Sequence, residues 1–200
     1  MKFKELNLPN KLSILRILMA LIIIVILLFP FHNVGLEFPK YLVSGTYIDS
    51  KYLIAGVLFV LASVTDFLDG NIARKRNLVT DFGKTVDAIA DKVLVNSVLI
   101  ILSAQGFIPP VIVVIVIVRD SIVNAIKMVA GGKGNVVAAS NLGKIKTAAL
   151  MAGITLTLFY NLPFQLINLP VADFLLAFAA VMAFISGIDY FKANKKHLKQ

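Results

Sequence analysis

The chain has 200 residues, 58% of them hydrophobic and only 16% charged, and a mean hydropathy of +0.87. That balance excludes an ordinary soluble domain and points to an integral membrane protein. The formal net charge of +9 would suggest nucleic-acid binding on a soluble chain, but here the flanks of membrane helices use the basic residues and no nucleic-acid partner is expected; the lack of Cys excludes disulfide and thiol chemistry.

Crossing a bilayer takes about 20 apolar residues, and six stretches approach that length: 12–29, 52–72, 85–102, 111–130, 147–160 and 171–191. The expected fold is an all-α integral membrane protein with six transmembrane helices, forming a single domain over residues 1–200. Residues 3–11 mix apolar and basic side chains, as an N-terminal interfacial helix does and as a plain orientation signal also does. No small-residue cleavage site stands near Phe29-Pro30, so the first stretch reads as a retained span. Turn-forming segments at 30–50, 106–110, 131–135 and 161–170 separate most of the spans. An even number of spans puts both termini on one side. Of the 20 Lys and Arg, all but Lys40 and Lys51 belong to helix ends on that side, which the positive-inside rule makes cytoplasmic.

The second and third spans carry the unusual chemistry. Four of the 11 acidic residues fall in Asp66-x-x-Asp69-Gly70-x-x-Ala73-Arg74, eight further residues, and Gly83-x-x-x-Asp87-x-x-x-Asp91. Spacings of three and four put Asp66 with Asp69, and Asp87 with Asp91, on single helix faces. Two helices can thus aim two carboxylates each at one point. Bare carboxylates so close repel, and burial raises their pKa values, unless a cation neutralises them. An all-oxygen donor set suits a hard divalent ion, Mg²⁺ or Mn²⁺, rather than Zn²⁺.

Every fixed position of that motif resembles the signature of the CDP-alcohol phosphotransferases, D-x-x-D-G-x-x-A-R-x8-G-x-x-x-D-x-x-x-D. The resemblance implies transfer of a phosphatidyl or similar group from a CDP-linked donor to an alcohol, with release of CMP. It implies two divalent ions held by Asp66, Asp69, Asp87 and Asp91, with Asp91 also the general base for the attacking hydroxyl. Asp69, Gly70, Ala73, Arg74, Thr80 and Gly83 are the implied donor-nucleotide residues: the glycines admit a flat nucleotide close to the backbone, and Arg74 pairs with phosphate. A homodimer in a bacterial cell membrane, with its site facing the cytoplasm, is the implied setting.

The acceptor must be read from the rest of the cytoplasmic half. Arg119 follows the apolar run 111–118, and Lys127 lies eight positions on, two turns along a similar face. Ser140, Lys144, Lys146 and Thr147 come after the Gly-rich segment. These residues form a candidate pocket for an anion, most naturally the phosphate of a phosphorylated alcohol; for Arg119 the alternative is a salt bridge, for instance to Asp120, and for Lys144 and Lys146 a positive-inside flank. The stretch 138–147, the opening 7–16 and the ending 186–191 are similar to bacterial phosphatidylglycerophosphate synthases, with Asp120 where Glu is usual, Lys127 where Arg is usual, and Ala88 where many carry Pro. The implied substrates are CDP-diacylglycerol and sn-glycerol 3-phosphate; phosphatidylglycerol, serine or inositol phosphate are the alternative acceptors within the family. A divalent-cation transporter would need polar residues through the full membrane depth. The run 21–28 is featureless and offers no such path.

Overall fold

The computed structural model describes residues 7–43, 45–75, 80–132 and 141–198. Six helices dominate: α1 (Leu8–Leu28), α2 (Ser50–Lys75), α3 (Asp81–Ala104), α4 (Pro110–Gly132), α5 (Asn141–Leu158) and α6 (Val171–Leu198). Each expected span is a helix, and most run past the apolar stretch into charged sequence. Three of them, over Leu8–Leu28, Ser50–Gly70 and Val171–Asn194, are long and apolar enough to cross a membrane by length and composition alone. The remaining three carry charged residues in the half that also holds the aspartates.

Two expectations need correction. A separate interfacial helix over 3–11 does not form within the described residues: 8–11 are the first turn of α1, which opens on Asn7, whose side chain accepts from the Asn10 N–H at 3.0 Å. Residues 3–6 lie outside the described part. The fold is also not purely helical. Inside the expected loop 30–50, β1 (Lys40–Val43) pairs antiparallel with β2 (Thr46–Asp49), with Lys40 opposite Asp49 and Val43 opposite Thr46. Gly45 turns the hairpin at φ +81°, a conformation that side chains resist.

Packing divides along the chain. α1 lies against α2 and α3, α6 lies against α4 and α5, and contacts of α2 with α5 and α3 with α4 join the two groups. Ile23, Phe59, Leu99, Leu102, Ile154, Leu158 and Leu176 form the core. The outer surface is apolar, with Leu18, Leu21, Val25, Val114, Val118, Val181 and Phe184 exposed, whereas Arg16, Asp69, Asp120 and Lys146 are buried. Greasy outside and charged inside is the arrangement expected when the solvent is lipid.

At the end remote from the aspartates, side chains tie the helices together. Tyr52 Oη donates to Gln105 Oε1 at 3.1 Å, Gln105 Nε2 donates to the Leu27 carbonyl at 3.0 Å, and the Asp49 N–H donates to Tyr160 Oη at 3.0 Å. The rings of Tyr52, Phe107 and Tyr160 pack around these bonds.

Small residues set the α5–α6 distance. A Cβ built on Gly153 would stand 2.9 Å from Leu176 Cγ and 3.3 Å from the Leu176 backbone nitrogen, so the helices meet there with no room for a side chain. Replacing Gly153 by Leu is expected to cost about 1–3 kcal/mol through overpacking. A fall in the thermal unfolding midpoint in detergent checks this, and an unchanged midpoint would contradict it.

Candidate active site

The site begins where α2 ends and α3 begins, because that junction brings the two halves of the aspartate motif together. α3 starts at a cap: Thr80 Oγ1 accepts from the Gly83 N–H at 3.0 Å. Asn10 Nδ2 of α1 donates to the same hydroxyl at 3.3 Å. A Cβ on Gly83 would collide with Asn10 Oδ1 and stand 3.0 Å from Thr80 Oγ1, so the glycine lets α1 approach α3. Within the protein, Thr80 and Gly83 thus serve helix capping and close packing.

Asp66, Asp69 and Asp87 converge, each offering a carboxylate oxygen, with these oxygens all within 4.8 Å of one another. Asp69 is buried, while the side chains of Asp66 and Asp87 are about half exposed. Asp91 is not drawn into this trio; its Oδ2 stands 3.7 Å from Lys92 Nζ. Gly70 sits half-buried beside Asp69 on α2. The side chains of Ala73 and Arg74 lie outside the described residues.

The cation among the three carboxylates is Arg16, which the motif does not contain. Its Nη1 stands 2.6 Å from Asp66 Oδ1 and 2.9 Å from Asp87 Oδ1, and its Nη2 contacts Asp69 Oδ2. The guanidinium is fully buried. Ser13, one turn earlier on α1, donates to Asp69 Oδ2 at 3.2 Å. From sequence Arg16 looks like one more basic residue near a membrane face, and nothing in its spacing marks the pairing. The only sequence signal is position: Arg16 lies inside an apolar span, where a charge requires partners.

The donor chemistry of this trio fits a divalent metal. The donors are all carboxylate oxygens, two remain partly open to solvent, and a guanidinium already stands where positive charge is required. Three carboxylates against one guanidinium leave two negative charges.

A second ionic cluster of opposite balance is organised by Asp120 on α4. Its carboxylate accepts from Lys92 Nζ of α3 at 2.8 Å, from its neighbour Arg119 Nη1 at 2.8 Å, and from Lys146 Nζ of α5 at 3.0 Å. Arg119 Nε also donates to Ser186 Oγ of α6 at 3.2 Å. Three helices, α3, α4 and α5, therefore meet at one buried carboxylate, and Arg119 links α6 to it. Arg119 forms the salt bridge to Asp120 and also lines open space, so the two readings of that residue are compatible. Sequence reasoning missed Lys92, whose Nζ stands between Asp91 Oδ2 at 3.7 Å and Asp120 Oδ2 at 2.8 Å.

Two cavities open on the cations. One of ≈ 480 Å³ is lined by Asp91, Lys92, Arg119, Asp120, Lys127 and Lys146, among others. The other, ≈ 650 Å³, is lined by Phe67, Arg119, Lys127, Lys144, Thr147 and Tyr190, among others. Arg119 and Lys127 line both cavities, with Lys146 at the first and Lys144 at the second, while Ser140 lies outside the described residues.

The family model for CDP-alcohol phosphatidyltransferases matches residues 6–186. The chain belongs to the CDP-alcohol phosphatidyltransferase family. It is 42% identical over 193 residues to a protein of Bacillus subtilis (strain 168), covering 96% of this chain and 97% of the relative, and 37% identical over 200 residues to one of Rickettsia bellii (strain RML369-C), covering 98% and 99%. A Mycoplasma genitalium protein is 44% identical over 107 residues, which is 54% of this chain and 45% of the relative. All three relatives are named CDP-diacylglycerol–glycerol-3-phosphate 3-phosphatidyltransferase. The aspartate trio of this family member therefore lies on the motif by which the sequence resembled the family.

Because Asp120 neutralises buried Lys146 and Arg119, its replacement by Asn leaves them uncompensated. Breaking a buried pair by removing one partner costs about 3–5 kcal/mol. Unfolding of Asp120→Asn in mixed micelles is expected to show a loss of that order, and wild-type stability would contradict the assignment.

Proposed function

We propose that this protein transfers the phosphatidyl group of CDP-diacylglycerol to sn-glycerol 3-phosphate, giving phosphatidylglycerol phosphate and CMP. The names of relatives aligned over nearly the whole chain support the reaction. The observation that carries the acceptor is the charge of the second cluster: three cations on one carboxylate leave two positive charges beside an open cavity, the complement of a phosphate monoester dianion.

In this reading all six helices cross the membrane, both termini are cytoplasmic, and both clusters face the cytoplasm. Asp66, Asp69, Asp87 and Asp91 would hold two Mg²⁺ or Mn²⁺ ions. Held by those carboxylates, the ions would supply positive charge to offset that of the donor's pyrophosphate and the departing CMP. Asp91 accepts the proton of the glycerol phosphate hydroxyl as its oxygen bonds to the phosphorus that carries diacylglycerol, and the bond from that phosphorus to CMP breaks with its electron pair leaving on CMP. Arg74, with Asp69, Gly70, Ala73, Thr80 and Gly83, binds the donor nucleotide. Arg119, Lys127, Ser140, Lys144 and Lys146 bind the acceptor's phosphate. Asp120 holds Arg119 and Lys146 in place before the acceptor arrives, which lowers the cost of ordering two flexible side chains on binding.

Purified protein with Mn²⁺ and CDP-diacylglycerol is expected to release CMP and form phosphatidylglycerol phosphate with sn-glycerol 3-phosphate, and far more slowly with serine, inositol phosphate or phosphatidylglycerol. Asp91→Asn should lower the rate by about 10²- to 10⁴-fold, the usual worth of a general base. CMP release with one of the other acceptors, and none with glycerol 3-phosphate, would overturn the acceptor assignment.

A further inference from the structure

We propose that Arg16 is the resident counter-ion of the aspartate site, and that divalent metal ions bind by displacing its guanidinium from the carboxylates. The inference rests on the metal-site reading above and adds to it a residue outside the motif.

Arg16 projects from the first half of α1 into a junction formed by two other helices, and one guanidinium meets three carboxylates there. It therefore occupies the charge position that a metal needs. A guanidinium placed for purely structural purposes normally finds partners for all its N–H groups. Here Arg16 Nε is buried with no hydrogen-bond partner among the described residues, so the polar contacts of the guanidinium shown there run through its terminal nitrogens. The charge balance leads the same way. Without metal, Arg16 cancels one of three negative charges; with two divalent ions against Asp66, Asp69, Asp87 and Asp91, the four carboxylates are neutralised and the guanidinium is surplus. Like charges at contact distance in a medium of low dielectric repel strongly. Arg16 engages one oxygen of each of the three carboxylates, so a metal ion drawn to those oxygens competes with the guanidinium for them.

Two consequences follow for the protein. The metal-free chain folds without bare carboxylates in its bundle, since α1 carries the neutralising charge to α2 and α3. Metal binding becomes an exchange, and its affinity is weaker than the donor set alone would give.

The test compares wild type, Arg16→Gln and Arg16→Lys, with Mn²⁺ affinity measured by the paramagnetic resonance signal of the free ion and thermal midpoints measured with and without Mn²⁺. Arg16→Gln is expected to bind Mn²⁺ at least about tenfold more tightly, to melt below wild type without metal, and to gain more from added Mn²⁺ than wild type does. Arg16→Lys keeps a charge but not the fork, and should fall between the two. It preserves the ordering of affinities if the Gln variant does not fold without metal. Unchanged or weaker Mn²⁺ binding in both variants would overturn the exchange and make Arg16 a fixed support of the metal ligands. Asp87→Asn run in parallel separates the two levels: if it leaves wild-type Mn²⁺ affinity intact, the ions lie elsewhere and the metal-site reading falls together with the exchange.

Discussion

A carboxylate inside an apolar bundle must be neutralised where it lies, and most of the architecture at that end of the bundle follows from meeting that demand at Asp66, Asp69 and Asp87. Arg16 is the internal answer, and it fixes more than charge. Because the guanidinium must reach carboxylates on both α2 and α3, α1 is drawn into their junction. That approach brings Asn10 onto the Thr80 cap and leaves Gly83 no space for a side chain. An ion-pair network is thus coupled to backbone packing, so the carboxylates are held at close quarters rather than splayed by repulsion.

The Asp120 cluster solves the same problem with the signs reversed. One buried carboxylate restrains Lys92, Arg119 and Lys146, which would otherwise repel, and ties α3, α4 and α5 to one another while Arg119 reaches Ser186 on α6. Asp91 and Lys92 are consecutive on α3, and Lys92 pairs with both Asp91 and Asp120. A negative site next to a positive site, each two charges from neutrality, suits a reaction in which a metal-bound pyrophosphate meets a phosphorylated alcohol. The far end of the bundle holds instead a neutral set of aromatic and amide contacts around Tyr52, Gln105 and Tyr160. The buried charges, Arg16, Asp69, Asp120 and Lys146, thereby gather at the other end of the bundle.

The sequence made the helices and the aspartates legible because both are local signals: an apolar run defines its own helix, and spacings of three and four define a face. Arg16 was not legible as a partner. It lies 50 residues from Asp66, and a rule that assigns basic residues to the cytoplasmic flank accounts for it as readily as for Lys75. Pairing across helices depends on how they pack, and one chain's spacing does not encode that. The same limit hid Lys92 and the threefold use of Asp120, although Arg119 and Asp120 as neighbours were visible. The hairpin was obscured for a different reason: Pro30, Pro39 and Gly45 dominated the reading of 30–50 as a loop, while strands of four residues are too short for alternation to stand out. The first turn of α1 was misassigned because basic residues at a membrane face look alike whether they begin a span or lie along the interface.

The most direct measurement is an experimental structure with Mn²⁺ and sn-glycerol 3-phosphate both bound, using anomalous scattering to locate the metal. Manganese among Asp66, Asp69, Asp87 and Asp91, with the acceptor's phosphate between Arg119, Lys127 and Lys146, is the expected result. Phosphate bound away from those cations, or manganese away from the aspartates, would contradict a site built from two clusters of opposite charge.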